Sequence, residues 1–262
     1  MEVSMTRPLV IKIGGAIMES DQALSDLFKV VSQLQQDRGV IIVHGGGCVA
    51  DDMLQQAGFV SKKIDGLRVS EQAHMAVISG ALAGTVNKHM VAIANHSGLK
   101  TVGLALHDGQ SIVCLPADPK LGCVGIPQAG NASLLNSLVA ANCLPLISSI
   151  GSLDNGTLVN VNADDAAVAI SELLNADLVL LTDVAGVKGA DQKYLATLDG
   201  EQAKHLIEQG VIAGGMIAKV NAAFAAANRL RRSIAVASWK SPEKLFVLNS
   251  NGEFGTRIIP TL

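Results

Sequence analysis

The chain is short of charge, of aromatic rings and of cysteine. Asp, Glu, Lys and Arg make up 16% of its 262 residues, against roughly 25% in an average soluble domain. Twenty Lys and Arg stand against 23 Asp and Glu, for a net charge of −3. No basic field exists to hold a nucleic acid or an anionic membrane, so neither is expected as a partner. Phe, Trp and Tyr together reach only 3%, so the core must be built from Ala, Val, Ile and Leu. The four cysteines, Cys48, Cys114, Cys123 and Cys143, contain no CxxC pair. They read as free thiols in a reducing cytoplasm, not as a disulfide framework or a zinc site.

Long apolar runs and export signals are missing as well. The longest apolar stretch, Met75 to Val86, carries Ser79, Gly80 and Gly84 and runs into Asn87 and Lys88. That is about two-thirds of the ~20 residues a bilayer needs. Lys12 interrupts the first apolar run and no basic segment precedes it, so no secretory signal is read. Met5 is an alternative start to Met1. What is present is a 49% hydrophobic content with 26 glycines besides. Such a chain buries enough surface to offset its ordering entropy, and its length fits one large domain or two modest lobes.

Short β-branched runs alternate with longer Ala- and Leu-rich amphipathic stretches. Strands are expected at 9–13, 40–43, 101–104, 144–147, 178–181 and 233–236. Helices are expected at 21–37, from Gly47 to about 56, and at 71–95, 131–141, 164–174, 200–209 and 216–230. Gly109–Gly130, with three prolines, reads as hairpins or irregular excursions. Repeated strand–helix units with buried strands predict a largely parallel α/β sheet covered by helices on both faces. Ligands of such sheets sit beyond the carboxyl ends of the strands, where three glycine- or Asp-bearing turns fall here.

Five constellations could carry chemistry, and each has a plainer reading beside it. Lys12, inside a buried strand and followed by Gly14 and Gly15, is costly without an anionic partner; it clamps a phosphate or snorkels from an edge. His44-Gly45-Gly46-Gly47 opens a helix and forms an anion nest. Gly45 to Ala50, with Asp65 downstream, also fits a dinucleotide fingerprint, whereas an esterase lacks its G-x-S-x-G elbow. His44 itself reads as a turn-packing or hydrogen-bonding residue. Asn160, Asn162 and Asp164 alternate before a helix, as polar ligands or as a cap with its first-turn acid. Gly214-Gly215 opens a helix with Lys219 one turn in, suited to polyphosphate or simply solvated, and no Walker A sequence is present. Arg68 holds a carboxylate or lies on the surface.

At these residues the chain resembles the amino-acid kinase family, and within it the members that phosphorylate N-acetyl-L-glutamate. The likeness runs from Leu9 to Ile259, through VIKIGG (10–15), IIVHGGG (41–47), DGLRVS (65–70), ISGALAGTVNK (78–88), SSIG (148–151), VNVNADDAA (159–167), LLTDVAGV (180–187) and GGMIAKVNAA (214–223). KxGG and TDVxGV mark the family as a whole; HGGG, GLRV and NVNAD together mark the acetylglutamate branch. The resemblance implies a three-layer αβα sandwich with a mainly parallel central sheet and two lobes. Residues 1–173 would bind acetylglutamate and dimerise, and residues 174–262 would bind ATP.

It further implies transfer of the γ-phosphoryl of ATP to the side-chain carboxylate of N-acetyl-L-glutamate, an early step of arginine biosynthesis. Lys12 and Lys219 would flank the phosphoryl, with Asp164 orienting both. The amides of Gly14, Gly15, Gly46 and Gly47 would bind phosphate and carboxylate oxygens. Arg68 would grip the α-carboxylate, and Asn160 and Asn162 would also contact the substrate. Asp183, Val184, Ala185, Gly186, Val187 and Lys188, with Val211, Ile212 and Ala213, would line adenine and ribose. Mg²⁺ would be held by phosphates and water, with no protein metal site. Arginine-inhibited relatives carry an extra N-terminal helix, so the expectation is a cytoplasmic homodimer insensitive to arginine. Aspartate, glutamate-5 and carbamate kinase activities and a dinucleotide-dependent oxidoreductase are the alternatives.

Overall fold

The computed structural model describes residues 7–249 and 255–261; Met1 and Met5 lie outside them. In chain order the strands are β1 (Leu9–Ile13), β2 (Val40–His44), a hairpin of β3 (Lys62–Ile64) and β4 (Leu67–Val69), and β5 (Thr101–Ala105). Then come a hairpin of β6 (Ile112–Pro116) and β7 (Gly125–Ala129), β8 (Leu144–Ser148), and a hairpin of β9 (Ile150–Ser152) and β10 (Leu158–Asn160). The last four are β11 (Asp177–Thr182), β12 (Thr197–Leu198), β13 (Ile234–Ser238) and β14 (Thr256–Ile258). The α-helices are α1 (Asp21–Leu34), α2 (Gly47–Gln56), α3 (Met75–Ser79), α4 (Asn87–His96), α5 (Ser133–Ala140), α6 (Ala163–Leu173), α7 (Gly200–Glu208) and α8 (Gly215–Leu230).

One eight-stranded sheet runs β12-β14-β13-β11-β1-β2-β8-β5, and every neighbouring pair is parallel except β13–β14. The expected main strands and helices all form, within a few residues of their expected ends. Strand alternation decides which face each residue covers. Leu9, Ile11, Ile13, Ile42 and Val179 pack with α1 and α4, while Val10, Ile41, Val43, Leu178 and Leu180 pack with α6 and α8. The result is the expected αβα sandwich, with aliphatic residues filling both interlayer cores. α1 buries Leu24, Leu27, Phe28, Val31 and Leu34, and Ser20 caps it through its side-chain oxygen.

The hairpins β3–β4 and β9–β10 are built of three-residue strands, too short to leave a periodic signal, and they escape a sequence reading. The β6–β7 hairpin fills the excursion expected between Gly109 and Gly130. Between α3 and α4 the backbone widens into a π-helical segment, Gly80–Val86, so residues 72–96 form one continuous helical run. It is the one helix among the described residues whose length and composition would let it cross a bilayer. Met75, Ile78, Ala81, Leu82, Val86, Met90 and Ala94 are buried against the rest of the molecule, along one side of the helix.

Ile42 is completely buried in β2, between β1 and β8. Truncating it leaves a cavity that a paired central strand cannot close. Ile42→Ala is expected to cost about 3 kcal/mol of unfolding free energy, read from urea or thermal denaturation.

Candidate active site

The order of the sheet brings the informative turns together. β1 pairs with β2 on one side and β11 on the other, and its register sets Ile13 beside both His44 and Leu181. The turns after all three strands therefore open at the same edge, at the reversal in strand order where α/β sheets bind ligands. Lys12 has the parity of Val10 and so projects toward the face covered by α6. There its Nζ meets Asp164 Oδ1 at 2.8 Å, with the lysine side chain only 15% exposed. The first turn of α6 holds the carboxylate in place. Asn162 caps that helix, its Oδ1 accepting from the Asp164 N–H at 2.8 Å and the Asp165 N–H at 3.2 Å.

Lys219 approaches from the other half of the sheet. Gly214, at φ +56°, makes the abrupt turn into α8, and the lysine follows one helical turn later. Its Nζ lies 2.6 Å from Asp183 Oδ1, at the end of β11. That hydrogen bond holds the Asp183 carboxyl below the usual carboxylate range, against the small upward pull of burial. The ion pairing expected of one acid is thus divided between two: Asp164 holds Lys12 and Asp183 holds Lys219. A cavity of about 360 Å³ lies among them, lined by Lys12, Gly14, Gly15, Asp164, Asp183, Lys219 and Trp239 with neighbouring residues.

A second group adjoins this cavity across the glycine turns. A side chain at Gly15 would touch Cys48 Sγ at 3.5 Å, one at Gly45 would press on Ala163 at 3.3 Å, and one at Gly47 would meet Arg68 at 3.6 Å. Arg68 is buried. Its Nη1 donates to Asp51 and to Ser61 Oγ, and its Nη2 donates to the Gly47 carbonyl at 2.9 Å. Burial pushes the Asp51 carboxyl up, but hydrogen bonds from Arg68 and Ser61 and the arginine charge outweigh it and hold it well below the usual range. Asn160 donates to Ser70 Oγ at 3.1 Å, and that hydroxyl donates to the Arg68 carbonyl. Asn162, which the sequence reading set beside the substrate, has its side-chain oxygen engaged in capping the first turn of α6, which carries Asp164.

The remaining expected residues gather further along β11. Val184, Gly186, Val187, Lys188, Val211, Ile212 and Ala213 line a separate cavity of about 230 Å³, together with Tyr194 and Met216. Ala185 is half-buried in the same loop but outside that lining. Asp51, Tyr194 and Trp239 escaped the sequence reading. Of these, only Trp239 left a usable signal: it is the chain's sole tryptophan, just past the carboxyl end of β13. Asp65, the ribose acid required by a dinucleotide fingerprint, is exposed at the tip of the β3–β4 hairpin with φ +50°. It does not follow a strand of the central sheet, and the dinucleotide reading loses its second anchor.

A model of the amino acid kinase family matches residues 7–238. The chain belongs to the amino acid kinase family. Among individual members, it is 60% identical over 260 residues to the acetylglutamate kinase of Colwellia psychrerythraea, covering 99% of this chain and 100% of that one. It is 47% identical over 256 residues to the acetylglutamate kinase of Aliivibrio fischeri, covering 97% and 98%. Among solved structures, a Streptococcus mutans protein, smu.665, superposes with a TM-score of 0.77 at 27% identity, covering 97% and 99%. Among the described residues no cluster of three or more His, Cys, Asp or Glu is placed to hold a metal.

Behind the glycines His44 is fully buried. Burial lowers its pKa to about 4, with a smaller contribution from the Lys88 charge, against the opposing hydrogen bond to Gly45. The folded state therefore prefers the neutral ring. Its contribution is complete above the unfolded value of 6.5 and is lost as pH falls through that value toward 4. Acid should cost the fold about 3 kcal/mol over this window. Tm measured against pH is expected to fall there, ahead of the carboxylates, and His44→Asn should flatten that segment.

Proposed function

We propose that the protein transfers the γ-phosphoryl group of ATP to the side-chain carboxylate of N-acetyl-L-glutamate, an early step of arginine biosynthesis. The observation that carries this reading is the pair of ammonium groups, Lys12 and Lys219, brought from opposite halves of one sheet to a single cavity between glycine turns. The acetylglutamate kinase relatives at 60% and 47% identity support the choice of acceptor.

The chemistry suits the residues. A carboxylate is already ionised at neutral pH, so the nucleophile needs no general base. Its oxygen forms a bond to the γ-phosphorus as the bond to the β,γ-bridging oxygen breaks, giving ADP and an acyl phosphate. No proton has to move. The difficulty lies in bringing an anion to a triphosphate, and catalysis rests on positioning and charge stabilisation. Lys12 and Lys219 flank the transferring group, Asp164 orients Lys12, and Asp183 holds Lys219 at the mouth. The amides of Gly14 and Gly15 serve phosphate oxygens, and those of Gly46 and Gly47 serve the acceptor. Mg²⁺ would be held mainly by phosphate oxygens and water, since Asp164 and Asp183 are already engaged with lysines.

Arg68 is left with a defined capacity. A guanidinium carries five N–H donors; Asp51, Ser61 and Gly47 take three. Two remain, the number a bidentate carboxylate requires, so Arg68 is assigned to the α-carboxylate, with Asn160 beside the α-substituents. Val184 to Lys188 and Val211 to Ala213 receive adenine and ribose, with Tyr194 as an added wall. Residues 1–173 and 174–262 act as acceptor and nucleotide lobes, divided between β1 and β11. Cytoplasmic, homodimeric assembly belongs to the same reading.

The test is hydroxylamine trapping of acyl phosphate from MgATP with N-acetylglutamate, glutamate, aspartate or carbamate. Hydroxamate is expected with N-acetylglutamate alone; product from another acceptor instead would reassign the enzyme within its family. Lys12→Ala and Lys219→Ala should each lower kcat about 100- to 1,000-fold with Tm changed little. Near-normal turnover in either variant would remove that lysine from the mechanism. Trp239, lining the cavity, makes intrinsic fluorescence a direct readout of nucleotide titration. A spectrum indifferent to saturating MgATP would argue against nucleotide in this cavity.

A further inference from the structure

The glycine turn after β2 is held from behind by a buried polar network. Asn87, fully buried at the start of α4, donates through Nδ2 to the Leu146 carbonyl at 2.9 Å and meets His44 Nε2 at 3.0 Å. Its Oδ1 accepts from Lys88 Nζ at 3.1 Å, and the same ammonium donates to the Gly103 carbonyl at 3.1 Å. The Leu104 carbonyl also faces Nδ2 but at 3.5 Å, the limit of a hydrogen bond, so the two amide protons go to the closer Leu146 carbonyl and His44 ring. The Leu146 carbonyl and the Lys88 ammonium fix which end of the amide is nitrogen. The amide nitrogen can only donate, so His44 Nε2 must accept, and the ring proton sits on Nδ1. That N–H donates to the Gly45 carbonyl at 2.7 Å.

A trans peptide points its C=O and the following N–H in opposite directions, and every described peptide bond is trans. Fixing the Gly45 carbonyl against the ring therefore fixes the Gly46 N–H pointing away from it. The Gly46 N–H takes no acceptor from the protein among the described residues. The π-helical segment supplies the other side of the mould. A side chain at Gly46, whose φ is +147°, would lie 2.9 Å from Leu82 and 3.0 Å from Val86. The next residue along is Asn87. One widened helical segment thus packs against the turn and presents the amide that sets the ring.

We infer that His44 and Asn87 are positioning residues for phosphoryl transfer, a neutral imidazole–amide pair that aims the Gly46 N–H at an oxygen of the acceptor. This rests on the acetylglutamate kinase reading, in which Gly46 contacts the acceptor. The pair touches no substrate, and the ring is neither acid nor base.

The test compares two amides that differ in reach. In His44→Asn the side-chain NH₂ falls near the Nδ1 position and keeps a donor for the Gly45 carbonyl. In His44→Gln it falls near Nε2 and leaves that carbonyl without one. Turnover with MgATP and N-acetylglutamate is measured for both variants and the wild type, beside Tm and nucleotide titration followed by Trp239 fluorescence. His44→Asn should keep kcat/KM for the acceptor within about threefold of wild type, and His44→Gln should lose about 10- to 100-fold, the scale of one misdirected transition-state donor. The nucleotide half-saturation should be the same in all three. Equal kcat/KM in the two variants, or a parallel loss of nucleotide binding, would overturn the inference and leave a structural role. Should His44→Gln not fold, Asn87→Ser takes its place: a folded Asn87→Ser protein with kcat/KM for the acceptor lowered about tenfold and an unchanged nucleotide half-saturation supports the pair, and one with normal acceptor kinetics refutes it. A wild type inactive on N-acetylglutamate would instead overturn the function proposed for the whole site.

Discussion

A lysine in the middle of a buried parallel strand is the constraint around which this molecule is arranged. Lys12 lies in register between Val43 and Leu180, in a stretch of sheet flanked by buried aliphatic residues. An unpaired ammonium there would cost several kcal/mol. The strand tolerates it only because the first turn of α6 places Asp164 over the carboxyl end of β1. That demand sets where α6 starts and how it is rotated, and Asn162 at its cap holds the phase. Ala166, Ala167 and Ala169, all buried, let the helix lie close enough to the sheet for a 2.8 Å ion pair. Packing and chemistry are here one requirement.

How much of this was legible in the sequence depended on the range of the interaction. The main strands could be read because a fully buried strand is a short continuous run, and the covering helices because their apolar faces recur at three and four residues. Lys12 and the glycine turns stood out because each breaks a local rule. The division of the two lysines between two acids was not legible, since Asp164 and Asp183 are both plausible neighbours of Lys219 until the sheet order is known. Arg68 looked like any β-strand arginine; what makes it a site residue is Asp51, 17 positions away on another element. The hairpins β3–β4 and β9–β10, which bring Arg68 and Asn160 to the crevice, are three-residue strands and leave almost no period. Tyr194 lines its cavity from a loop, where side-chain direction has no periodic rule at all.

The pairing of each lysine with an aspartate also explains how so apolar a chain carries two cations at one cavity. Without the acids the ammonium groups would repel each other and lower each other's affinity for protons. With them the local charge is nearly balanced, and each lysine is held where it is needed. The arrangement has an energetic consequence. Asp183 is half-exposed and readily rehydrated, whereas Asp164 is the more enclosed acid. Lys219 is therefore the more accessible cation of the two, and Lys12 the one anchored in the central strand.

Amide recognition follows the same economy. In the function proposed above, a chain with 16% charged residues would meet its anionic substrate largely with backbone N–H groups, which carry no net charge to bury. Their weakness is direction. A glycine turn can rotate its peptide planes at little cost, and an amide that swings away from the ligand contributes nothing. Something behind the turn must hold the planes, and it must be uncharged, because a cation there would need an acid of its own. Imidazole meets both conditions only when kept neutral, which burial against Asn87, Leu146 and the π-helical turn accomplishes. The same burial disfavours the charged ring in acid, so in this reading one feature bears both on the glycine amides and on the response of the fold to pH.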